Sequence, residues 1–115
     1  MTIIYGISNC DSVKKSLNWL NKNNIDYQFH DLRKDGLPNE LLSSFFEQLD
    51  WQELVNKRST TFRGLSDEIK NTFNKELAFE TILAQPTLLK RPLLSLNNNL
   101  YLGFKPEQYQ ELFAL

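Results

Sequence analysis

The sequence predicts a mixed α/β fold in the order β-α-β, helical block, β-β-α. Three observations point to it. Two short apolar runs, Thr2 to Tyr5 and Ile25 to His30, flank an amphipathic stretch. The segment from Pro38 to Leu89 has helical spacing almost throughout. Two short leucine-rich runs and a closing helical pattern then end the sequence.

Each element has its own local reason. Thr2 to Tyr5 is β-branched and aromatic and runs into Gly6, as a buried strand entering a loop does. Asn9, Asp11 and Ser12 favour a helix start. Val13, Leu17 and Leu20 then recur at i, i+4 and i+7, with Lys14, Lys15, Asn18 and Asn21 on other faces, so a helix is expected to end near Lys22 to Asn24. Ile25, Tyr27 and Phe29 alternate with Asp26, Gln28 and His30, which predicts a strand buried on one face. Strand, helix and strand with short links make a βαβ unit with parallel strands.

Asp35-Gly36 predicts a turn, and Pro38 suits the first position of the next helix. Leu41, Leu42, Phe45, Phe46 and Leu49 give that helix its stripe, and a shorter one follows around Trp51 to Val55. Ser66-Asp67-Glu68 reads as a cap with an acidic first turn. Leu77, Ala78, Ile82 and Leu83 carry another helix to Pro86. Leu93 to Leu96 and Leu100 to Leu102 form a hairpin around Asn97-Asn98-Asn99. Pro106-Glu107 starts the last helix, with Tyr109, Leu112 and Phe113 inward. This order is that of a thioredoxin-like mixed sheet with a helical insertion. We expect one domain over 1–115, with the insertion at about 37–90.

A chain of 115 residues is the usual size of one domain. With 41% apolar residues and eight Phe it can build a core, and 23% charge of mixed sign argues against disorder. The net charge of −1 gives no electrostatic case for nucleic acid or an anionic membrane. No apolar run approaches the ~20 residues of a membrane span. The N-terminus lacks a signal-peptide pattern. A soluble, cytoplasmic protein is expected. No apolar stripe is left over, so a monomer is expected. One cysteine excludes an internal disulfide and a Cys-based zinc site, and one histidine argues against a His-ligated metal, so no metal is expected.

That cysteine, Cys10, lies where the first strand turns into the first helix. A free thiol titrates near ~8.5 and is mostly protonated at neutral pH. A helix N-terminus contributes ~0.3–1 kcal/mol to an anion, or up to ~2 when partly buried, which is about one pKa unit. Two readings stay open from the residues alone: a small buried apolar side chain, or a reactive thiol flanked by Asn9 and Asp11. Lys14 and Lys15 are local cations that could assist a thiolate or simply form the solvated face. Arg58 and Arg63 lie among Ser59, Thr60 and Thr61. Arg91 lies between Leu88-Leu89 and Leu93-Leu94, where a charge needs a partner or a cavity. Arginine's planar fork suits oxyanions and carboxylates. His30 reads as a strand-end residue rather than a base.

Three segments in order, YGISNCDSVKK, NKRSTTFR and LLKRPLL followed by LGF, resemble the ArsC/Spx family. The likeness is greatest to its YffB-like branch of small arsenate reductase-like proteins. The resemblance implies a thioredoxin-like fold and a catalytic thiol at Cys10. It implies that Arg58 and Arg91 surround the thiol and bind its anionic substrate, and that Arg91-Pro92 is a cis peptide. Two departures narrow it. Arsenate reductases of the family carry a further arginine after the last hairpin, where this chain has Leu102-Gly103-Phe104-Lys105. Spx regulators carry a Cys-x-x-Cys pair, where this chain has Val13. The implied function is therefore a glutathione-dependent thiol reductase with one cysteine, assisted by Lys14. It holds no bound cofactor, takes glutathione or another small thiol as co-substrate, and has glutaredoxin as a further candidate partner. The alternatives are an Spx-like protein-binding module, docking on a protein such as RNA polymerase, and arsenate reduction itself.

Overall fold

A computed structural model describes residues 1–115. In chain order its elements are β1 (Thr2–Gly6), α1 (Asp11–Lys22), β2 (Gln28–Asp31), α2 (Asn39–Gln48), α3 (Trp51–Leu54), α4 (Thr60–Arg63), α5 (Asp67–Asn71), α6 (Lys75–Ala84), a 3-10 turn at Pro86–Leu88, β3 (Leu93–Leu96), β4 (Asn99–Leu102) and α7 (Pro106–Leu112). The chain divides into two compact units: Met1–Leu32 with Arg91–Leu115, and Arg33–Lys90.

The first unit is a four-stranded mixed sheet in the order β2-β1-β3-β4. β1 and β2 are parallel, with Ile3 opposite Gln28 and Gly6 opposite Asp31. β1 and β3 are antiparallel, with Ile4 opposite Leu94 and Tyr5 opposite Leu93. β3 and β4 form the expected hairpin, turned by Asn97 and Asn98 at φ 52° and 69°. Asparagine tolerates that left-handed region better than most residues, which is why the polar triplet serves as the turn. Ile4 and Leu94 share one sheet face and are fully buried with Leu20 of α1 and Tyr109 of α7. Trp19, Phe104 and Phe113 surround the Tyr109 ring at centroid distances of 5.4, 4.8 and 6.1 Å. Its hydroxyl shares a 2.9 Å hydrogen bond with buried Ser16. A polar residue is thus tolerated on the buried face of α1 because a partner 93 positions away meets it.

The second strand is shorter than the alternation predicts. It starts at Gln28, not Ile25. The Ile25 amide donates to the Leu20 carbonyl at 3.0 Å, and Asn24 adopts φ 55°. Ile25 therefore closes the end of α1 instead of pairing with β1.

The second unit is helical, with buried residues including Leu42, Phe45, Leu54, Val55, Ala78, Ile82, Leu88 and Leu89. A single bridge pairs Val55 with Leu89. Four of its five α-helices begin under side-chain caps, from Asp50, Ser59, Ser66 and Asn74. Pro38 precedes α2 as its N-cap rather than occupying its first turn. The one-turn helix α4, capped by Ser59, falls within the segment expected to be almost wholly helical and beside the candidate anion binders Arg58 and Arg63. No helix is long and apolar enough to cross a membrane.

Candidate active site

Cys10 is the N-cap residue of α1, extended at φ −139°, ψ 124°. Its carbonyl accepts the Lys14 amide at 3.0 Å, the first turn of the helix. Its side chain makes no capping hydrogen bond. The sulfur thus occupies the place where serine or aspartate would normally satisfy a first-turn amide. The residue is half-buried and makes no disulfide. Cys10 is thus only partly buried, unlike the core residues around it.

Gly6 makes the strand-to-helix connection possible. A Cβ built there would lie 2.7 Å from Cγ2 of Val13, closer than two carbons can approach. Val13 is itself fully buried. The bare backbone at residue 6 therefore lets the first turn of α1 close against the end of β1, and Cys10 follows from that closure.

The sheet register decides which other residues share this end of the unit. β1 runs toward Cys10 and ends at Gly6, while antiparallel β3 starts there, with Leu93 opposite Tyr5. The two residues before Leu93, Arg91 and Pro92, therefore lie at the Cys10 end of the sheet. Arg91-Pro92 is a cis peptide bond, and the Pro92 carbonyl accepts the Gly103 amide at 2.8 Å. Arg91 is half-buried, with its Nε enclosed. A cation kept at a sheet end beside the strand-to-helix loop suits an anion there.

β2 adds two residues to the same end. Asp31 lies opposite Gly6 and is 7% exposed. His30 lies opposite Tyr5, and their rings meet at 5.2 Å. Burial raises the Tyr5 pKa above its ordinary value of 10.0, so its phenol is neutral at physiological pH. Asp31 was invisible as a site neighbour in the sequence. It stands in the charged run HDLRKD, and only strand pairing sets it apart.

The profile of the ArsC family matches residues 5–112. The chain belongs to the ArsC family. It is 37% identical to the solved YFFB (PA3664) protein, with a TM-score of 0.91 over 97% of this chain and 98% of that one. It is 44% identical to an arsenate reductase (ArsC) related protein from Brucella melitensis, with a TM-score of 0.82 over 99% and 95% of the two chains. It is 29% identical to the global transcriptional regulator Spx of Lactiplantibacillus plantarum, over 94% of this chain and 83% of that one. The thioredoxin-like mixed sheet expected from the pattern is the fold of this ArsC-family chain.

The remaining sequence-derived residues divide between the units. Lys14 is exposed in the first turns of α1, on the side chain four residues past Cys10. Arg58 belongs to the helical unit and is exposed in the turn before α4, its amide donating to Asn56 Oδ1 at 3.1 Å. Arg63 is likewise exposed, at the end of α4.

Proposed function

We propose that this ArsC-family chain is a glutathione-dependent thiol reductase with Cys10 as its only sulfur nucleophile. The Cys10 thiolate attacks the glutathionyl sulfur of a mixed disulfide, R–S–SG. The old S–S bond breaks, R–S⁻ leaves and takes a proton from water, and Cys10–S–SG forms. A second glutathione thiolate then attacks the glutathionyl sulfur of that adduct. Cys10 is released as thiolate and oxidised glutathione departs. The net change is R–S–SG plus GSH giving R–SH plus GSSG: the R sulfur is reduced to a thiol, the sulfur of the incoming glutathione is oxidised to the disulfide level, and its proton balances the one taken by R–S⁻. The external thiol is required because Val13 stands where a resolving cysteine would be.

The observation carrying the proposal is the uncapped start of α1 at Cys10, at the same sheet end as Arg91. The open amides of a helix start are donors suited to an anionic group of a bound substrate. Arg91 is the proposed anchor for a glutathione carboxylate. Arg58 and Lys14 are the further cations proposed for substrate binding, and glutaredoxin is a candidate partner for the adduct.

The test is exposure to oxidised glutathione with intact-mass detection, alongside turnover of a glutathione mixed disulfide coupled to glutathione reductase. We expect one adduct, at Cys10, and none in Cys10→Ser. A charge-assisted hydrogen bond is worth ~1.5–3 kcal/mol, so Arg91→Ala should slow adduct formation about tenfold or more. Equal turnover by wild type and Cys10→Ser would sink the proposal.

The Spx likeness supports a second reading, a non-enzymatic module that docks on a protein such as RNA polymerase. Co-sedimentation with purified polymerase separates the two. Docking retained by Cys10→Ser, with no turnover by wild type, would favour the module.

A further inference from the structure

Helices α2 and α6 leave an open groove of about 580 Å³ inside the helical unit. Its floor is a pair of rings, Phe46 and Phe79, edge to face at 5.2 Å. The buried stripe of α6 is Ala78 and Ile82, four residues apart. Phe79 is one position off that stripe and is only partly buried. Core packing therefore does not account for its open face.

The rim has one dominant sign. Glu47 follows Phe46 on α2, and Lys75, Glu76 and Glu80 line the groove from α6. Lys75, Glu76, Phe79 and Glu80 fall at i, i+1, i+4 and i+5, which places them on one helix face. Three carboxylates face one ammonium, in a chain whose total charge is only −1. All four charged rim residues are exposed. An apolar floor takes an apolar anchor, and a carboxylate rim takes cations beside it. A lysine or arginine lying over the Phe79 ring would add a cation–π contact.

We propose that this groove is a docking site for a basic peptide segment of a partner protein, with an aromatic or aliphatic anchor flanked by Lys or Arg. It is independent of the chemistry at Cys10. Charge complementarity selects the occupant: an acidic segment would meet like charge on three of four rim positions.

The test uses the full chain and two fluorescein-labelled synthetic peptides. One is three repeats of Lys-Leu-Phe-Lys, and the other has Glu in place of every Lys. Anisotropy measures affinity, and amide shifts in a ¹⁵N-labelled sample locate it. We expect the lysine peptide alone to bind, with the largest shifts at Phe46, Glu47, Glu76, Phe79 and Glu80. The triple variant Glu47→Lys, Glu76→Lys, Glu80→Lys should weaken it at least tenfold. A control with the same charge change elsewhere, Glu53→Lys, Glu107→Lys, Glu111→Lys, should change it by less than about threefold. Equal binding of both peptides, shifts outside the groove, or equal loss in the control would overturn the proposal. So would sedimentation equilibrium showing a dimer that the groove variant abolishes, which would assign the groove to a second copy of the chain.

Discussion

The sheet unit and the helical unit differ in how most of their helix starts are closed: α2, which follows Pro38, is the one α-helix of the helical unit without a side-chain cap. In the helical unit, Asp50, Ser59, Ser66 and Asn74 accept the amides of Gln52, Phe62, Ile69 and Leu77 at 3.0, 3.1, 3.2 and 2.8 Å. In the sheet unit, neither α1 nor α7 begins with a side-chain cap. Pro106 opens α7, so one amide is simply missing there. At α1 nothing replaces the cap, and Cys10 stands in its place. The helices α3, α4 and α5, of four or five residues and burying at most Leu54, gain most from local closure. The longer α1 is held by burying Val13, Ser16 and Leu20, so its start does not depend on a side-chain cap.

The largest test of that contrast is Tyr109→Ala. Tyr109 is fully buried and holds Ser16, so the loss should be ~3–5 kcal/mol, read from urea unfolding. A loss below ~1 kcal/mol would mean that α1 does not depend on tertiary burial. The same residue gives a pH signature. Burial raises the Tyr109 pKa above 10.0, with the Ser16 hydrogen bond opposing it. The unfolded chain then loses its proton first, so this stabilising contribution is intact below pH 10 and is lost as pH rises through the folded value. Tyr109→Phe should flatten that alkaline decline.

Gly6→Ala comes next, at ~1–3 kcal/mol, because the new methyl meets Val13. Gly6→Ala with Val13→Ala should recover part of the overlap cost in a double-mutant cycle, and additive losses would refute the clash. In the helical unit, Asn74→Ala should cost about 1 kcal/mol through its cap alone, measured by thermal unfolding. The smallest effect has the opposite sign. Serine caps well, so Cys10→Ser should gain a few tenths of a kcal/mol while abolishing turnover. A loss of stability on that change would contradict an open helix start.

What was legible in the sequence was mostly local. The Ser66 cap needed only the residues beside it, and the parallel βαβ unit needed only period and link length. The α1 stripe was legible as well, apart from Ser16, whose partner lies 93 positions away. Ile25 to Tyr27 misled because alternation cannot show that Ile25 is already bonded to the end of α1. The Thr60–Arg63 turn lies in the block read as helical, but its bounds were not legible because a four-residue helix leaves no period to see.

For the site, the sequence by itself determined the one sulfur, its strand-to-helix position and the absence of a resolving partner. Those are matters of composition and near neighbours. Only the tertiary structure decided that Arg91-Pro92, Asp31 and Cys10 share one end of the sheet. Strand order and register are set by which faces bury together, and no stretch of chain carries that choice within itself.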